Sequence, residues 1–203
     1  MDIILNTHFN NPKLPAPGFA DDFNRAASST SLGTTSRDGK PWRPVKWGSN
    51  DPVWGVTDNG TAQLVTASSN HQAVVVDSES SDGTLEATIS AVSPTRWGGL
   101  AARVIDSRNL VMLRETGRGS SAIALYEFAD GTQTLLGQGG QVAAGDKLKI
   151  EFVGSTVEVY QNGEKVITGT TSVLDGKAHG LYAYNPSPGN PASEWDEIRF
   201  TPA

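Results

Sequence analysis

The chain has 203 residues, 37% hydrophobic and 19% charged, which is ordinary for a globular protein and enough for one substantial core. Its 16 Lys and Arg against 22 Asp and Glu leave a formal net charge of −6, which argues against a nucleic-acid-binding surface, since that needs a concentrated basic excess. Cysteine is absent, removing disulfides, thiolate metal sites and cysteine nucleophiles together, and no apolar run approaches the ~20 residues of a membrane-crossing helix.

The first residues, Met1-Asp2-Ile3-Ile4-Leu5-Asn6-Thr7-His8, place an acid where an export signal needs basic residues, and the apolar run is far shorter than the roughly 7–15 residues of a signal core. Pro12, Pro15 and Pro17 follow and bias the residues before them to extended geometry. Residues 1–18 therefore read as an extended N-terminal arm ahead of a single domain over 19–203. The arm is either a frayed terminus or an attachment segment whose Ile3, Ile4 and Leu5 add to another subunit's sheet edge. From Phe19 to Trp54, Gly33, Asp38-Gly39, Pro41, Pro44, Gly48 and Pro52 predict loop-like structure.

Short β patterns then follow one another. Gln63, Val65 and Ala67 alternate with Leu64, Thr66 and Ser68, and Ala73 to Val76 is a β-branched run. Leu85, Ala87, Ile89 and Ala91 keep the period of two of a half-buried strand. Leu100 to Ile105 and Leu110 to Leu113 are apolar at successive positions, predicting strands covered on both faces. Ile123 to Phe128 runs into Asp130-Gly131, a hairpin turn, before Thr132 to Leu136. Leu148, Ile150 and Phe152 alternate with charged residues. After Gly154-Ser155, Val157 and Val159 do the same up to Asn162-Gly163, the pair suited to a type I′ turn. Gly180 to Tyr184 and Trp195 to Phe200 close the chain. Roughly a dozen strands with no helix beyond a turn or two predict an all-β fold of two packed antiparallel sheets.

Certain segments resemble concanavalin A-like lectin/glucanase domains. They are Asp21-Asp22-Phe23-Asn24-Arg25, Trp54-Gly55-Val56 with Asn59-Gly60-Thr61-Ala62, Trp97 to Arg103 with Asn109-Leu110-Val111, Gly145-Asp146-Lys147-Leu148, the Val157 to Val166 hairpin, His179-Gly180-Leu181 and Trp195-Asp196-Glu197-Ile198. The resemblance spans about residues 19–201. It implies a jelly-roll sandwich, of the kind also found in laminin-G-like modules, glycan-processing enzymes and minor tail proteins of actinobacterial phages; the short arm and missing export signal are most similar to the phage group. It also implies a structural calcium ion between the first strand, a glycine turn and the last strand, at Asp22, Gly60 and Asp196. The plainer alternative is that the two aspartates satisfy backbone N–H groups at strand ends.

Glycoside hydrolysis needs two carboxyl groups about the scissile bond. The nearest string, Glu194-Trp195-Asp196-Glu197, has a spacing that would put Glu194 and Glu197 on opposite sides of a regular strand, and Glu86 and Glu115 stand alone in the sequence. His71 reads as a turn residue and His179 as a structural one; neither belongs to a nucleophile or metalloprotease motif. The chain is thus expected not to be an enzyme. Exposed aromatic rings beside hydrogen-bonding groups suit sugars. Trp42, Trp47, Trp97 and Tyr184, with Arg96, Arg103 and Asn185 as polar partners, are the candidate carbohydrate-binding residues; the alternative is that the loop tryptophans plug the ends of the sandwich. The combined expectation is a virion protein, a minor tail or capsid-decorating component. Its arm would dock on other virion subunits and its loops on host-surface glycans, with a homo-oligomer gaining from multivalency and no membrane insertion. A purely structural virion component and a glycan-processing hydrolase are the alternatives.

Overall fold

The computed structural model describes residues 18–48, 51–67, 71–93, 97–115, 122–184 and 192–203. Every regular element among them is a β-strand, and the pairing is antiparallel throughout. The first sheet runs β13 (Glu164–Thr170), β12 (Thr156–Gln161), β11 (Lys147–Val153), β6 (Gly83–Ala91), β15 (Glu194–Pro202), β4 (Ala62–Thr66) and β3 (Val53–Val56), with β1 (Phe19–Asp21) also paired to β15. The second runs β10 (Thr132–Gln141), β9 (Ala122–Ala129), β8 (Asn109–Glu115), β7 (Trp97–Asp106), β14 (Ala178–Tyr184), β5 (His71–Asp77) and β2 (Arg43–Val45). The two-sheet sandwich expected from the alternation is therefore present. It has three-residue strands, β1 and β2, inside the stretch read as loop; each is held by a long neighbour, β15 or β5, rather than by its own apolar pattern.

The inner faces meet in one continuous core that includes Leu85, Ile89, Leu100, Leu113, Leu125, Ile150, Phe152, Leu181, Trp54 and Trp195. At one end of this core the carboxylate of Asp21, 2% exposed, accepts four hydrogen bonds. They come from the Phe23 backbone N–H at 3.0 Å, both Nη groups of Arg25 at 2.9 and 2.6 Å, and the Trp42 indole N–H at 2.7 Å. Phe19 and Phe23 pack on the Trp42 ring, so one buried anion fixes the first strand, the following turn and a tryptophan far along the chain.

A second polar knot lies where β7 bulges. Arg103 is fully buried with φ +47°, a backbone state that a long side chain occupies only when its surroundings hold it there. Its guanidinium pairs with Asp82, donates to the carbonyls of Ser81 and Val173, and stacks over Phe152 at 5.0 Å. His179 is buried against Phe200, with ring centroids 3.9 Å apart. Its Nδ1 accepts from the Arg103 backbone N–H, so Nε2 carries the proton towards the Ser80 carbonyl. Burial foremost, and the nearby Arg103 charge, hold its pKa down at about 3.

Replacing Asp21 should therefore cost more than one contact. Asp21→Ala leaves the Trp42 N–H and the Arg25 guanidinium without an acceptor, and should destabilise by about 3–5 kcal/mol, a fall of roughly 6–20 °C in melting temperature for a domain of this size. Asp21→Asn, which keeps an acceptor oxygen but not the charge, should fall between; a thermal melt of the three proteins checks the order.

Candidate functional site

In the second sheet the strands β5, β7, β8 and β14 are buried on both faces. Beyond the main core, the outward-pointing residues Val45, Ala73, Val75, Ala101, Leu110, Met112, Phe128 and Tyr182 form a second apolar cluster, with Trp47, Tyr126 and Tyr184 packed against it. Strong curvature is what allows this. His71 of β5 and Phe128 of β9 meet with ring centroids 5.2 Å apart, although β14, β7 and β8 lie between their strands. At about 4.8 Å per step, four steps on a flat sheet would separate those strands by about 19 Å. The outer face must therefore be concave, with its large side chains folded inward across it.

The concave face gathers a band of partly exposed aromatic residues. Trp97 and Tyr184 are cross-strand partners and stack in parallel, with centroids 5.0 Å apart and planes 11° apart. His71, opposite Tyr184 on its other side, meets that ring edge-on at 5.1 Å and stacks on Trp47 at 5.9 Å. The Arg114 guanidinium sits among three rings, its central carbon 5.4 Å from Trp97, 4.8 Å from Tyr126 and 4.8 Å from Tyr184. Inside the band, His71 Nδ1 and the Tyr182 hydroxyl share a hydrogen bond of 2.7 Å. Burial first, and the Arg114 charge second, push the His71 pKa down to about 4, so this histidine is neutral at neutral pH.

Beside Arg114, strand alternation turns Glu115 inward. Its carboxyl is 4% exposed and accepts from the Gly98 backbone N–H at 3.2 Å and the Ser193 hydroxyl at 3.1 Å. Burial outweighs these bonds and raises its pKa from 4.5 to about 7, giving an interior carboxyl group, on the opposite side of β8 from the concave face, that exchanges its proton near neutrality.

The structure divides the residues expected to bind sugar. Trp47, Trp97 and Tyr184 are brought together on the concave face. Trp42 is not among them: it lies in the core, 9% exposed, with its indole N–H on Asp21. Arg103 is likewise interior, held by Asp82 and backbone carbonyls. Arg96 and Asn185 fall outside the described residues, as does the arm apart from Gly18. Sequence reasoning missed Arg114, Tyr126, Tyr182 and Phe128, and placed His71 in a turn when it is the first residue of β5. The missed signal was alternation: Leu110, Met112 and Arg114 share one face of β8, opposite Phe128, Tyr126 and Ala124 of β9.

The last strand also departs from expectation. A β-bulge between Trp195 and Glu197 inserts Asp196 as an extra residue, so Glu194 and Glu197 flank the buried Trp195 on the same, outer side of the first sheet. Glu194 accepts from Thr61 and Gln63, and Glu197 from Thr88. The bulge bears on the expected calcium positions too. The β1–β15 pairing ends at Asp21 and Ile198, two residues from Asp196, while a Cβ at Gly60 would lie 3.7 Å from the Phe23 carbonyl oxygen and 3.8 Å from the Asn24 Cα. Asp22, whose carboxylate accepts the Asn24 N–H at 3.2 Å, is next in line. Among the described residues no group of three or more His, Asp or Glu side chains is placed to hold a metal, so an ion here would draw on two carboxylates and backbone carbonyls, an all-oxygen set that suits a hard cation.

No protein-family model and no curated protein matches the sequence. Solved structures share the fold. The chain is similar to the carbohydrate binding module CBM66 from Bacillus subtilis, with a TM-score of 0.62 and 19% identity over 79% of this chain and 95% of that one. It is similar to the Bacillus licheniformis beta-glucanase, with 0.64 and 12% over 93% and 100%. It is also similar to a prokaryotic beta-1,3-1,4-glucanase (lichenase) derived from a mouse hindgut metagenome, with 0.66 and 10% over 92% and 99%. The fold is thus the expected concanavalin A-like jelly roll. The expectation that the chain is not an enzyme is corrected by the same likenesses: glucanases share this architecture over their whole length as fully as the binding module does, so the carboxylate spacing of one sequence string does not set this chain apart from them.

Glu115 makes stability depend on pH in a defined direction. In the unfolded chain the carboxyl loses its proton near 4.5, in the folded protein near 7. Between those values the folded state holds a proton that the unfolded state has released, so stability falls as pH rises through that window. Glu115→Gln, which stays neutral, should match the wild-type melting temperature at about pH 5 and exceed it at about pH 8; a constant offset across that range would show that Glu115 titrates normally.

Proposed function

We propose that the chain recognises a polysaccharide along the concave face of its second sheet. The observation that carries this is the band of partly exposed rings, Trp47, Tyr184, Trp97 and Tyr126, gathered on one curved surface beside a cation. Sugar rings present apolar C–H faces that pack on aromatic rings while polar neighbours fix orientation. The names of the similar structures, a carbohydrate binding module and two glucanases, support a glycan as the ligand. The resemblance of the sequence to minor tail proteins of actinobacterial phages supports a setting on the virion. There the N-terminal arm would attach to other virion subunits, and repeated copies would present the concave face to host-surface glycans, where weak sites gain by multivalency. A structural calcium ion held by Asp22 and Asp196 with backbone oxygen near Gly60 belongs to this reading, as a brace between the first and last strands.

Hydrolysis of the bound glycan is the second reading, and the names of two similar structures, both glucanases, support it; Glu115, with a pKa of about 7 in the range that suits a general acid, faces the interior and not the concave face. Such a reaction needs two carboxyl groups about the scissile bond, and none is among the described residues in the aromatic band.

Affinity electrophoresis in gels containing soluble bacterial cell-wall polysaccharides or plant β-glucans tests the first reading. The wild type should be retarded, and Trp97→Ala and Trp47→Ala should each weaken retardation by about tenfold. Val153→Ala, on an exposed residue of the first sheet, should behave as wild type. Release of reducing ends by the wild type that disappears in Trp97→Ala would establish the second reading, and equal mobility in every gel would overturn the first. For the ion, millimolar calcium chloride should raise the wild-type melting temperature by a few degrees and leave an Asp22→Asn, Asp196→Asn double variant unmoved.

A further inference from the structure

Arg114 is an exception among the arginines. Of the other described arginines, Arg25 has the Asp21 carboxylate at 2.6 Å, the more exposed Arg43 has Asp77 at 2.9 Å and the buried Arg103 has Asp82 at 2.5 Å. Arg114 is half-buried and has no carboxylate partner among the described residues. The adjacent Glu115 points to the other side of the strand and is committed to Gly98 and Ser193. Nor do the internal stretches outside the description supply one: 49–50, 68–70, 94–96, 116–121 and 185–191 contain no aspartate or glutamate. The three rings around the guanidinium attract it through their π-faces without neutralising it, and its Nε is buried with no hydrogen-bond acceptor. A guanidinium stays charged and offers a planar fork that matches carboxylate geometry. A half-buried cation held among three rings and beside the Tyr182 hydroxyl, with no carboxylate of its own among the described residues and in a chain whose net charge is −6, has the chemistry of an anion site.

Resting on the reading of the concave face as a polysaccharide site, we propose that its ligand is acidic. Arg114 takes the anionic substituent of a sugar residue whose ring packs on Trp97 or Tyr184. The chemistry required is a compact anion with two oxygens to share, on a sugar ring. A uronate carboxylate and a sulfate ester both provide it. Neutral His71 on the same face adds no competing charge and leaves Arg114 as the one cation described in the band.

The test uses polymer pairs that differ in charge alone: polygalacturonate against its methyl ester, and dextran sulfate against dextran. Isothermal titration of the full chain should show at least one charged polymer bound roughly tenfold more tightly than its neutral counterpart. The preferred pair identifies the anion as carboxylate or sulfate. In Arg114→Gln the ratio of the two affinities should fall to about one, and in Arg114→Lys it should be partly retained. Raising sodium chloride from about 50 to about 500 mM should weaken the charged polymer's binding to the wild type far more than the neutral polymer's. This readout needs no variant, so it stands if Arg114→Gln folds poorly. Equal affinities within each pair, or a preference that survives Arg114→Gln in a folded protein, would overturn the proposal and leave the polysaccharide reading intact. No binding to any of the four polymers, together with none in the gels, would overturn both.

Discussion

The structure depends on a sheet that is apolar on both faces and has a second sheet to cover only one of them. β7, β8, β5 and β14 carry buried residues at successive positions, a pattern usual where helices or another sheet lie on either side. Here the second face covers itself: the sheet curves until side chains four strands apart touch. Self-coverage has a geometric consequence. Residues at the bottom of the curve are dry, as Tyr182 and Met112 are, while those that reach over them, Trp47, Trp97, Tyr126 and Tyr184, keep part of their rings in water. A binding surface of half-exposed aromatics is thus a product of the fold's own packing problem.

Burial then decides which titratable groups keep their charge. Removing a group from water disfavours its ionised form unless a partner compensates. His179 and His71 are held neutral with pKa values of about 3 and about 4, and Glu115 holds its proton up to about 7. Arginine has no such escape, because its guanidinium does not release a proton in the accessible range. Arg25, Arg43 and Arg103 are answered with carboxylates, while Arg114 is answered with aromatic faces. Among the described residues the concave end therefore holds a lone positive charge within an acidic protein, a feature that net charge could not reveal.

Much of the fold was legible because it rests on period-two alternation and turn chemistry, both local. Asn162-Gly163 and Asp130-Gly131 take positive φ at both positions, +52° and +88°, then +51° and +82°, as the type I′ turn requires. The continuous apolar runs of β7 and β8 announced coverage on two sides, which is the origin of the concave face. What escaped was set by tertiary partners. β1 and β2 are too short to have a period. The bulge at Asp196 reverses the facing of Glu194 relative to Glu197, and a single inserted residue leaves no mark in a pattern read from one strand. Trp42 and Trp97 have similar neighbours in sequence, rich in glycine, proline and arginine. Asp21, more than twenty residues away, draws the first into the core; Tyr184, across the sheet, holds the second at the surface.

Identities of 10–19% over 79–93% of the chain mean that the backbone arrangement is shared while most side chains are not, so the chemistry has to be argued from the face itself. One glycine shows how backbone and face are joined. Gly99 stands opposite Arg114 in the β7–β8 register, and a Cβ there would run into the Leu113 carbonyl oxygen and crowd the Arg114 Cα. Without a side chain at that position the two strands approach closely, and the Arg114 guanidinium reaches the rings of Trp97 on β7 and Tyr184 on β14, the strand beyond. The spacing of two backbones at a glycine thus helps set how near the rings of the strands on that side come to the cation, while Tyr126 on β9 meets it from the other side.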